Sequence, residues 1–373
     1  CSLLYALGMD KRADDEWGVV RELLPSGWEQ AARDCGAFRR ARYLSDPGSL
    51  LRLLLFHAIN GCGLRETVAQ AKASGIAEMS QVALLKRLRS SGAWLAWIGA
   101  ALCRGLRESP RLPDAMRVRA IDSTTIQGPA SKGTGWRLHY ALNLNSLDCD
   151  WFELTDAKGG ERLERTPMSP GDVLLADRNF LRPAAVAAAQ QAGAHVLIRL
   201  RWTHPKLTDA RGRPFSAIDR VRSLKVGKVG SWSVQLPNEG GTPIPARVVA
   251  LRLPAPLAAK ATRRAERSAA NKGKKADPRS LEAAQFVMVF TTVPEELLPA
   301  PGVMELYRCR WQIELAFKRM KQLLQLGRLP HQDPEVARTW ILAKLVVALL
   351  LETLFRNART LSPWGYSIRG EAG

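Results

Sequence analysis

The sequence predicts an α/β protein with a mixed-sheet core, preceded by an α-helical N-terminal domain and interrupted by a β-rich insertion. Three observations support this prediction. Residues 1–112 show helical runs broken by glycines, residues 113–201 alternate between strand-like and helical segments, and residues 202–284 contain short β-like pieces among glycines and prolines. The core pattern resumes over 285–330, and a C-terminal helical segment follows over 331–373.

The charge of the chain favours a polyanionic partner. Its 373 residues include 55 Lys and Arg against 35 Asp and Glu, a formal net charge of +20, with 46% hydrophobic residues and 11 Trp. The apolar content is sufficient for a core and excludes wholesale disorder, while the surplus of cations favours nucleic acid. A ribosome-like structural binder, or simply a basic surface, is the alternative that charge alone leaves open.

Cysteine spacing and hydropathy exclude several other classes. The six cysteines are scattered without a C-x-x-C pair, which disfavours a zinc finger and a disulfide framework. The first residues lack a basic segment with a cleavage site, so no signal peptide is expected. The most apolar stretch, 341–354, is short and is interrupted by Lys344 and Glu352. We therefore expect a cytoplasmic protein that contacts no membrane and joins the nucleoid when it binds DNA.

The N-terminal domain contains three predicted helices in succession. The first is LRLLLFHAI at 51–59, the second lies at 67–74, and the third follows Ser80, a residue type that caps helix N-termini. Gly75 provides a turn between the second and third helices, as in a helix-turn-helix that reads DNA. Ordinary packing of a small helical bundle gives the same pattern, so both interpretations stay open.

The core segments alternate apolar and polar residues, which is typical of half-buried strands. A meander of three strands is followed by a strand, an Ala-rich helix and another strand, at 116–126, 136–145, 151–156, 173–176, 183–193 and 195–201. After the insertion, 286–293 continues the sheet. One long helix is then predicted from 303 to 326, where Gly327 and Pro330 end it.

A strongly basic run lies in the insertion. Residues 260–279 carry eight Lys or Arg against two acids, and this density suits the neutralisation of DNA phosphates. We predict a mobile arm that contacts DNA, with a solvated loop as the alternative. The cations singled out are Lys260, Arg263, Arg264, Lys274 and Lys275.

The long helix at 303–326 carries a polar stripe beside its apolar face. The stripe consists of Tyr307, Arg310, Glu314 and Lys321. Their offsets of three, four and seven residues place all four on one side of a helix. A carboxylate flanked by a phenol and two cations suits a site for metal and phosphate. An ordinary i,i+4 ion pair on a surface helix is the alternative.

Two more acids occupy predicted strand positions. Asp122 follows two apolar residues of the first strand, and Asp177 directly follows the strand 173–176. Ligand sites of open sheets gather at strand ends, and two strand carboxylates with one helix carboxylate can hold two Mg²⁺ ions. Taken singly, each acid is equally well explained as a cap or turn residue. The competing acids without this placement are Asp148, Asp150, Asp156 and Asp172.

These motifs together resemble the DDE transposases of insertion sequence family four. The helix stripe matches the family signature Y-x2-R-x3-E-x6-K in residue type and spacing. The motifs IDSTT around Asp122, LHYALNLN at 138–145 and ADRNF around Asp177 occur in the family's order. The resemblance covers residues 112–330 and implies an RNase H-like core. The long gap before Glu314 is what a subdomain inserted into such a core produces.

The resemblance implies cut-and-paste transposition: binding of terminal inverted repeats, metal-dependent strand cleavage, and joining of the freed 3′-hydroxyl to target DNA. It implies two Mg²⁺ ions, with Mn²⁺ as a substitute, on Asp122, Asp177 and Glu314. Double-stranded DNA of the transposon end and of the target is the implied partner, bound by a homodimer. The implied DNA contacts are Tyr307, Arg310, Lys321 and Arg178.

One family feature is altered in this chain. Some members stack a flipped base on a Trp in the strand before the signature helix, and here Phe286 is the stacking candidate in that strand. Because Phe stacks less well than Trp, a hairpin intermediate at the cut end has less support than cleavage itself. An inactive or co-opted DNA-binding protein, or another RNase H-like nuclease, is the alternative function.

Overall fold

The computed structural model describes residues 13–107, 116–129, 134–238 and 241–358. They form one mixed ten-stranded sheet with helices on both faces, which confirms the predicted α/β class. The predicted boundary between residues 112 and 113 lies outside the described residues. In the described part of the chain, no helix combines the length and the hydropathy needed to span a membrane.

Within the described residues, six helices precede the sheet. They are α1 (Ala13–Leu23), α2 (Trp28–Asp34), α3 (Pro47–Asn60), α4 (Leu64–Ala73), α5 (Gln81–Ser90) and α6 (Gly92–Arg107). The predicted turn and cap before α5 are present, because Gly75 has φ of +68° and Ser80 Oγ accepts a hydrogen bond from the Ala83 amide at 3.2 Å. A C-terminal helix, α13 (Pro334–Ala358), packs against α3, α5 and α6 and completes this bundle.

The sheet joins the two parts of the predicted core. Its strands are β1 (Arg117–Gln127), β2 (Thr134–Asn143), β3 (Asp148–Asp156), β4 (Asp172–Ala176), β5 (His195–Arg199), β6 (Leu207–Thr208), β7 (Pro214–Phe215), β8 (Val229–Leu236), β9 (Ile244–Arg252) and β10 (Phe286–Thr291). Their order is β3-β2-β1-β4-β5-β10-β9-β8-β6-β7. Strands β1, β4 and β5 are parallel, with α7 (Pro183–Gln191) connecting β4 to β5, and the pairs on either side are antiparallel.

The insertion extends the core sheet. Strand β9 pairs with β10 from Arg252 opposite Phe286 to Arg247 opposite Thr291, and β8 pairs with β9. Two short helices, α8 (Ala217–Val221) and α10 (Pro278–Ala283), accompany these strands. The β-rich character of the insertion is confirmed, while its domain boundaries stay a prediction.

The basic run of the insertion contains a regular helix, which corrects the prediction of a mobile arm. The helix α9 (Ala255–Ala270) includes Lys260, Arg263 and Arg264, and none of its residues is buried. Its repeated alanines have the highest intrinsic helix propensity, so the segment is helical although it packs little surface. The sequence prediction weighed the charge of this run and overlooked its alanines.

The single long helix predicted at 303–326 is two helices in the structure. They are α11 (Ala300–Arg308) and α12 (Trp311–Leu323), separated by a turn in which the Arg310 amide donates to Tyr307 O at 3.1 Å. Helix α11 packs on β8, β9 and β10, whereas α12 packs on β1 and β2. The break follows from this division of contacts, and no local Gly or Pro signals it.

Strand β1 directs its side chains alternately to the two faces of the sheet. Ala120 belongs to the hydrophobic cluster that contains Phe317 of α12, and Ile121 belongs to the cluster on the other face that contains Val186 of α7. Because residues two apart in a strand share a face, Asp122 lies on the face of α12.

Candidate active site

Asp122 and Asp177 are neighbours across two parallel strands. Ile121 of β1 lies opposite Ala176 of β4, so the residue that follows on each strand is an aspartate. Asp177 comes directly after the end of β4, while Asp122 lies within β1, which continues to Gln127. The structure therefore brings together the two acids that the sequence placed on these strands.

Asp122 occupies a partly buried, negatively charged environment. Its side chain is 21% exposed, and its carboxylate accepts a hydrogen bond from the Ser123 amide at 2.8 Å. The pKa of Asp122 is raised to about 6, chiefly by burial and also by the nearby carboxylates of Glu161 and Asp177, against the lowering effects of the Ser123 amide and Arg310. A positive charge beside Asp122 would therefore be stabilising.

The guanidinium of Arg310 lies between a strand acid and the helix acid. Its Nη1 is 3.6 Å from Asp122 Oδ2, and its Nη2 forms an ion pair with Glu314 Oε1. The Arg310 side chain is 17% exposed and that of Glu314 is 58% exposed. Within the described residues, no three His, Cys, Asp or Glu side chains are grouped closely enough to hold a metal ion. In this conformation Arg310 links Asp122 to Glu314, while Asp177 lies beside Asp122 on the neighbouring strand.

Tyr307 brings a buried hydroxyl to the same region. The residue is 7% exposed, its Oη has no hydrogen-bond partner among the described residues, and burial raises its pKa to about 12 while the charges of Arg310 and Arg199 lower it. A buried donor without an acceptor is costly. An oxygen-bearing ligand beside Tyr307 would satisfy this hydroxyl.

Arg199 is a site residue that the sequence analysis missed. Ala176 of β4 lies opposite Ile198 of β5, so Arg199 stands next to Asp177 at the same edge of the sheet. Its charge also acts on Tyr307. The available signal was an arginine at the end of the strand that follows the Asp177 strand, but the pairing of β4 with β5 was needed to interpret it.

The other predicted DNA contacts are exposed cations. Arg178 begins the short 3₁₀ turn after Asp177, and Lys321 lies in the last turn of α12. The five cations of the basic run are also exposed, and in the described structure none of them contacts the three acids. The five are Lys260, Arg263, Arg264, Lys274 and Lys275.

Phe286 is not available for base stacking in this structure, which corrects the sequence prediction. It is 4% exposed and belongs to the hydrophobic cluster on the α7 face of the sheet, with the Arg252 guanidinium 5.8 Å from its ring centroid. Trp311, the residue after Arg310, is 50% exposed. The sequence analysis overlooked this aromatic side chain, which directly follows a residue of the signature.

Two of the competing acids have a structural role. Asp150 accepts two hydrogen bonds from Arg119 at 2.7 Å each, and Asp172 accepts one from Arg117 Nε at 2.6 Å. All four residues are buried. These pairs connect β1 to β3 and β4 beneath the site, and their carboxylates are occupied by guanidinium groups.

The known proteins that this chain resembles are transposases. The transposase DDE domain family matches residues 113–350. A putative transposase InsL for insertion sequence element IS186A of Escherichia coli K12 is 34% identical over 94% of this chain and 96% of its own length. The transposase for IS421 of Escherichia coli has the same identity and coverage. The transposase for IS231C of Bacillus thuringiensis is 22% identical over 92% of this chain and 80% of its own length.

The chain belongs to the transposase DDE domain family. This confirms the resemblance that the signature motifs indicated, and it makes the protein an enzyme of the transposase class that acts on DNA. The family generally uses divalent metal ions.

Proposed function

We propose that this protein binds the terminal inverted repeats of an insertion sequence, cuts the DNA there and joins the freed 3′-hydroxyl to target DNA. The observation that carries the proposal is the β1–β4 register, which sets Asp122 beside Asp177 at the edge that faces α12. Glu314 of α12 is linked to Asp122 through Arg310. The three carboxylates expected of a DDE enzyme thus belong to one connected cluster.

The donor chemistry of this cluster fits a hard divalent cation. Carboxylate oxygens are the ligands that Mg²⁺ prefers, and the carboxylates of Asp177 and Glu161 lie near enough to Asp122 to raise its pKa beyond the effect of burial. We assign Asp122, Asp177 and Glu314 as the residues that would hold two Mg²⁺ ions, with Mn²⁺ as a substitute. When bound, such ions activate a water or hydroxyl and stabilise the leaving oxygen.

The cations and the phenol around the acids are assigned to DNA phosphates. Arg310 offers a planar guanidinium that can bind a phosphate through two hydrogen bonds. Tyr307 has an unsatisfied donor beside the charge of Arg199, so a phosphate oxygen there would accept from the hydroxyl. Arg178, which directly follows Asp177, and Lys321, which follows Glu314 on α12, are exposed and would contact further phosphates.

Trp311 replaces Phe286 as the candidate for contact with a base. It is half exposed at the start of α12, next to the residue assigned to a phosphate, whereas Phe286 is buried in the core. Stacking of a base on an exposed aromatic ring contributes about 1–3 kcal/mol per base. We therefore assign Trp311 as the side chain that stacks on a displaced base at the cut end.

Recognition of the DNA end is assigned to the N-terminal bundle. The α4–turn–α5 unit has the form of a helix-turn-helix, and the exposed basic helix α9 would add contacts that do not depend on sequence. Joining both ends of one element to a target requires two active sites, so a homodimer is expected in the DNA complex.

The test is end-specific cleavage by the purified protein. A duplex that carries the inverted repeat flanking the gene is incubated with Mg²⁺, and nicks at the end of the repeat are the expected result. Asp177→Asn should stop cleavage and preserve binding, and the matched exposed variant Asp34→Asn should preserve both. Sequence-specific binding without any cleavage by the wild type would instead identify a non-catalytic DNA-binding protein.

A further inference from the structure

A cavity lined by four arginines lies next to Asp177. It is a cavity of about 420 Å³ whose lining includes Arg137, Glu161, Arg178, Arg182, Arg201 and His204, and none of the three assigned acids. Arg178 directly follows Asp177, so the cavity borders the acids without overlapping them. Four different parts of the sheet edge supply its walls: β2, the segment after β3, the segment after β4, and the segment after β5.

The cavity carries unbalanced positive charge. Four arginines face one glutamate, and that glutamate is already paired with Arg137 at 3.0 Å. Arg178, Arg182 and Arg201 are exposed, and none of them forms an ion pair with another described residue. Like charges gathered around one cavity repel one another, and a bound anion would relieve this repulsion.

Hydrogen bonds fix the segments that carry Arg182 and Arg201. Arg182 is the N-cap of the nine-residue helix α7 and donates from its side chain to Glu161 O at 3.1 Å. Arg201 and His204 form an isolated β-bridge, with the His204 amide donating to Arg201 O at 3.1 Å. The helix N-terminus adds a partial positive charge to the same wall. The segments that carry Arg182 and Arg201 are thus fixed by hydrogen bonds at the wall of the cavity.

Glu161 connects this cavity to the acids. Its Oε1 accepts from Ser123 Oγ at 2.9 Å and from Arg137 Nη1 at 3.0 Å, and Ser123 is the neighbour of Asp122. Its Oε2 accepts from Asn179 Nδ2 at 3.4 Å, two residues after Asp177. One carboxylate thus bridges the segments that follow both strand acids, and it forms the boundary between the acidic cluster and the basic cavity.

We propose that this cavity binds a DNA backbone phosphate other than the one cut at the acids. Guanidinium groups match the planar, bidentate recognition of phosphate oxygens, and a continuous DNA strand that places one phosphate at the acids presents others nearby. The inference rests on the proposed DNA cleavage. The phosphate belongs either to the transposon end or to the target DNA, and the experiment below separates these sources.

The test uses the double variant Arg182→Gln/Arg201→Gln of the full chain. Its matched control is Arg211→Gln/Lys225→Gln, which removes the same charge from exposed positions outside the cavity. The first measurement is the salt dependence of binding to an end duplex. The second is the salt dependence of target-plasmid capture by complexes formed on pre-cleaved ends. Thermal melting of both variants should match the wild type because all four side chains are exposed.

If the bound phosphate belongs to the transposon end, the slope of log K against log salt should fall by about 0.9 per lost contact in the first measurement. If it belongs to the target DNA, the slope should fall only in the second measurement. If the cavity variant equals its control in both, the cavity binds no DNA phosphate and the inference is overturned. Failure of the wild type to cut ends would instead refute the proposed function. The salt slopes of binding would still show whether the cavity binds a DNA phosphate.

Discussion

Replacing Arg310 by glutamine removes the positive charge that lies between Asp122 and Glu314. At the observed 3.6 Å separation from Asp122 Oδ2, the attraction between unit charges is on the order of 4–5 kcal/mol at an effective dielectric constant of about 20. Desolvation offsets much of this attraction. The side chains of Arg310 and Asp122 are 17% and 21% exposed, between a surface pair worth about 0–1 kcal/mol and a buried pair whose disruption costs about 3–5 kcal/mol. We expect Arg310→Gln to lower stability by about 1–2 kcal/mol.

The catalytic effect of Arg310→Gln should exceed this loss of stability. If Arg310 positions a phosphate, its loss should slow single-turnover cleavage on the order of 10²-fold at a temperature where the variant is fully folded. Without the guanidinium, the pKa of Asp122 should rise further above its ordinary value. The rising limb of the pH–rate profile should then move to higher pH, because ionised Asp122 is the form required.

The assays are thermal melting, end-duplex binding and single-turnover cleavage across pH. Arg308→Gln is the matched control, since Arg308 is an exposed arginine at the end of α11, two residues before Arg310. The control should retain wild-type values in all three assays. Unchanged cleavage and end binding in Arg310→Gln, with only a lowered melting temperature, would refute the phosphate role and leave Arg310 as an ion-pair partner.

Three further predictions concern other parts of the molecule. Asp122→Asn should abolish cleavage but preserve end binding, because it removes a ligand and no phosphate contact; wild-type cleavage rates in this variant would contradict the assignment. Replacing four of the eight cations in 260–279 by Gln should flatten the salt slope of duplex binding by about 0.9 per contact, and an unchanged slope would leave α9 as a solvated helix. Glu352 is partly buried beside Tyr140 and Cys149, and its pKa is raised to about 7. The folded state therefore binds more protons than the unfolded state between about pH 4.5 and 7, and stability contributed by Glu352 falls by up to about 3 kcal/mol across that window. The pKa of His57 is lowered to about 4, so His57 changes the stability in the opposite direction as the pH rises. The test therefore compares thermal melts of Glu352→Gln and wild type from pH 4.5 to 8. A difference in melting temperature between the two proteins that does not grow with pH would contradict the expectation.

Elements were predictable where the pattern of neighbouring residues decides the conformation. The alternation of apolar and polar residues located β1, and the apolar run before Asp177 located β4. Ser80 and Gly75 correctly placed the cap and the turn before α5. The break between α11 and α12 was not predictable, because it depends on which strands each helix contacts and not on its own sequence.

The sequence by itself determined the family of this transposase. Residue types at fixed spacing made Asp122, Asp177 and Glu314 the predicted acids, since a signature is a local property of the chain. Only the tertiary structure decided that Arg199 stands beside Asp177 and that Phe286 is buried. It also decided that the turn before α12 brings the Arg310 guanidinium between Asp122 and Glu314. These relations depend on strand register and on packing between segments far apart in the chain, and a one-dimensional pattern does not encode either of them locally.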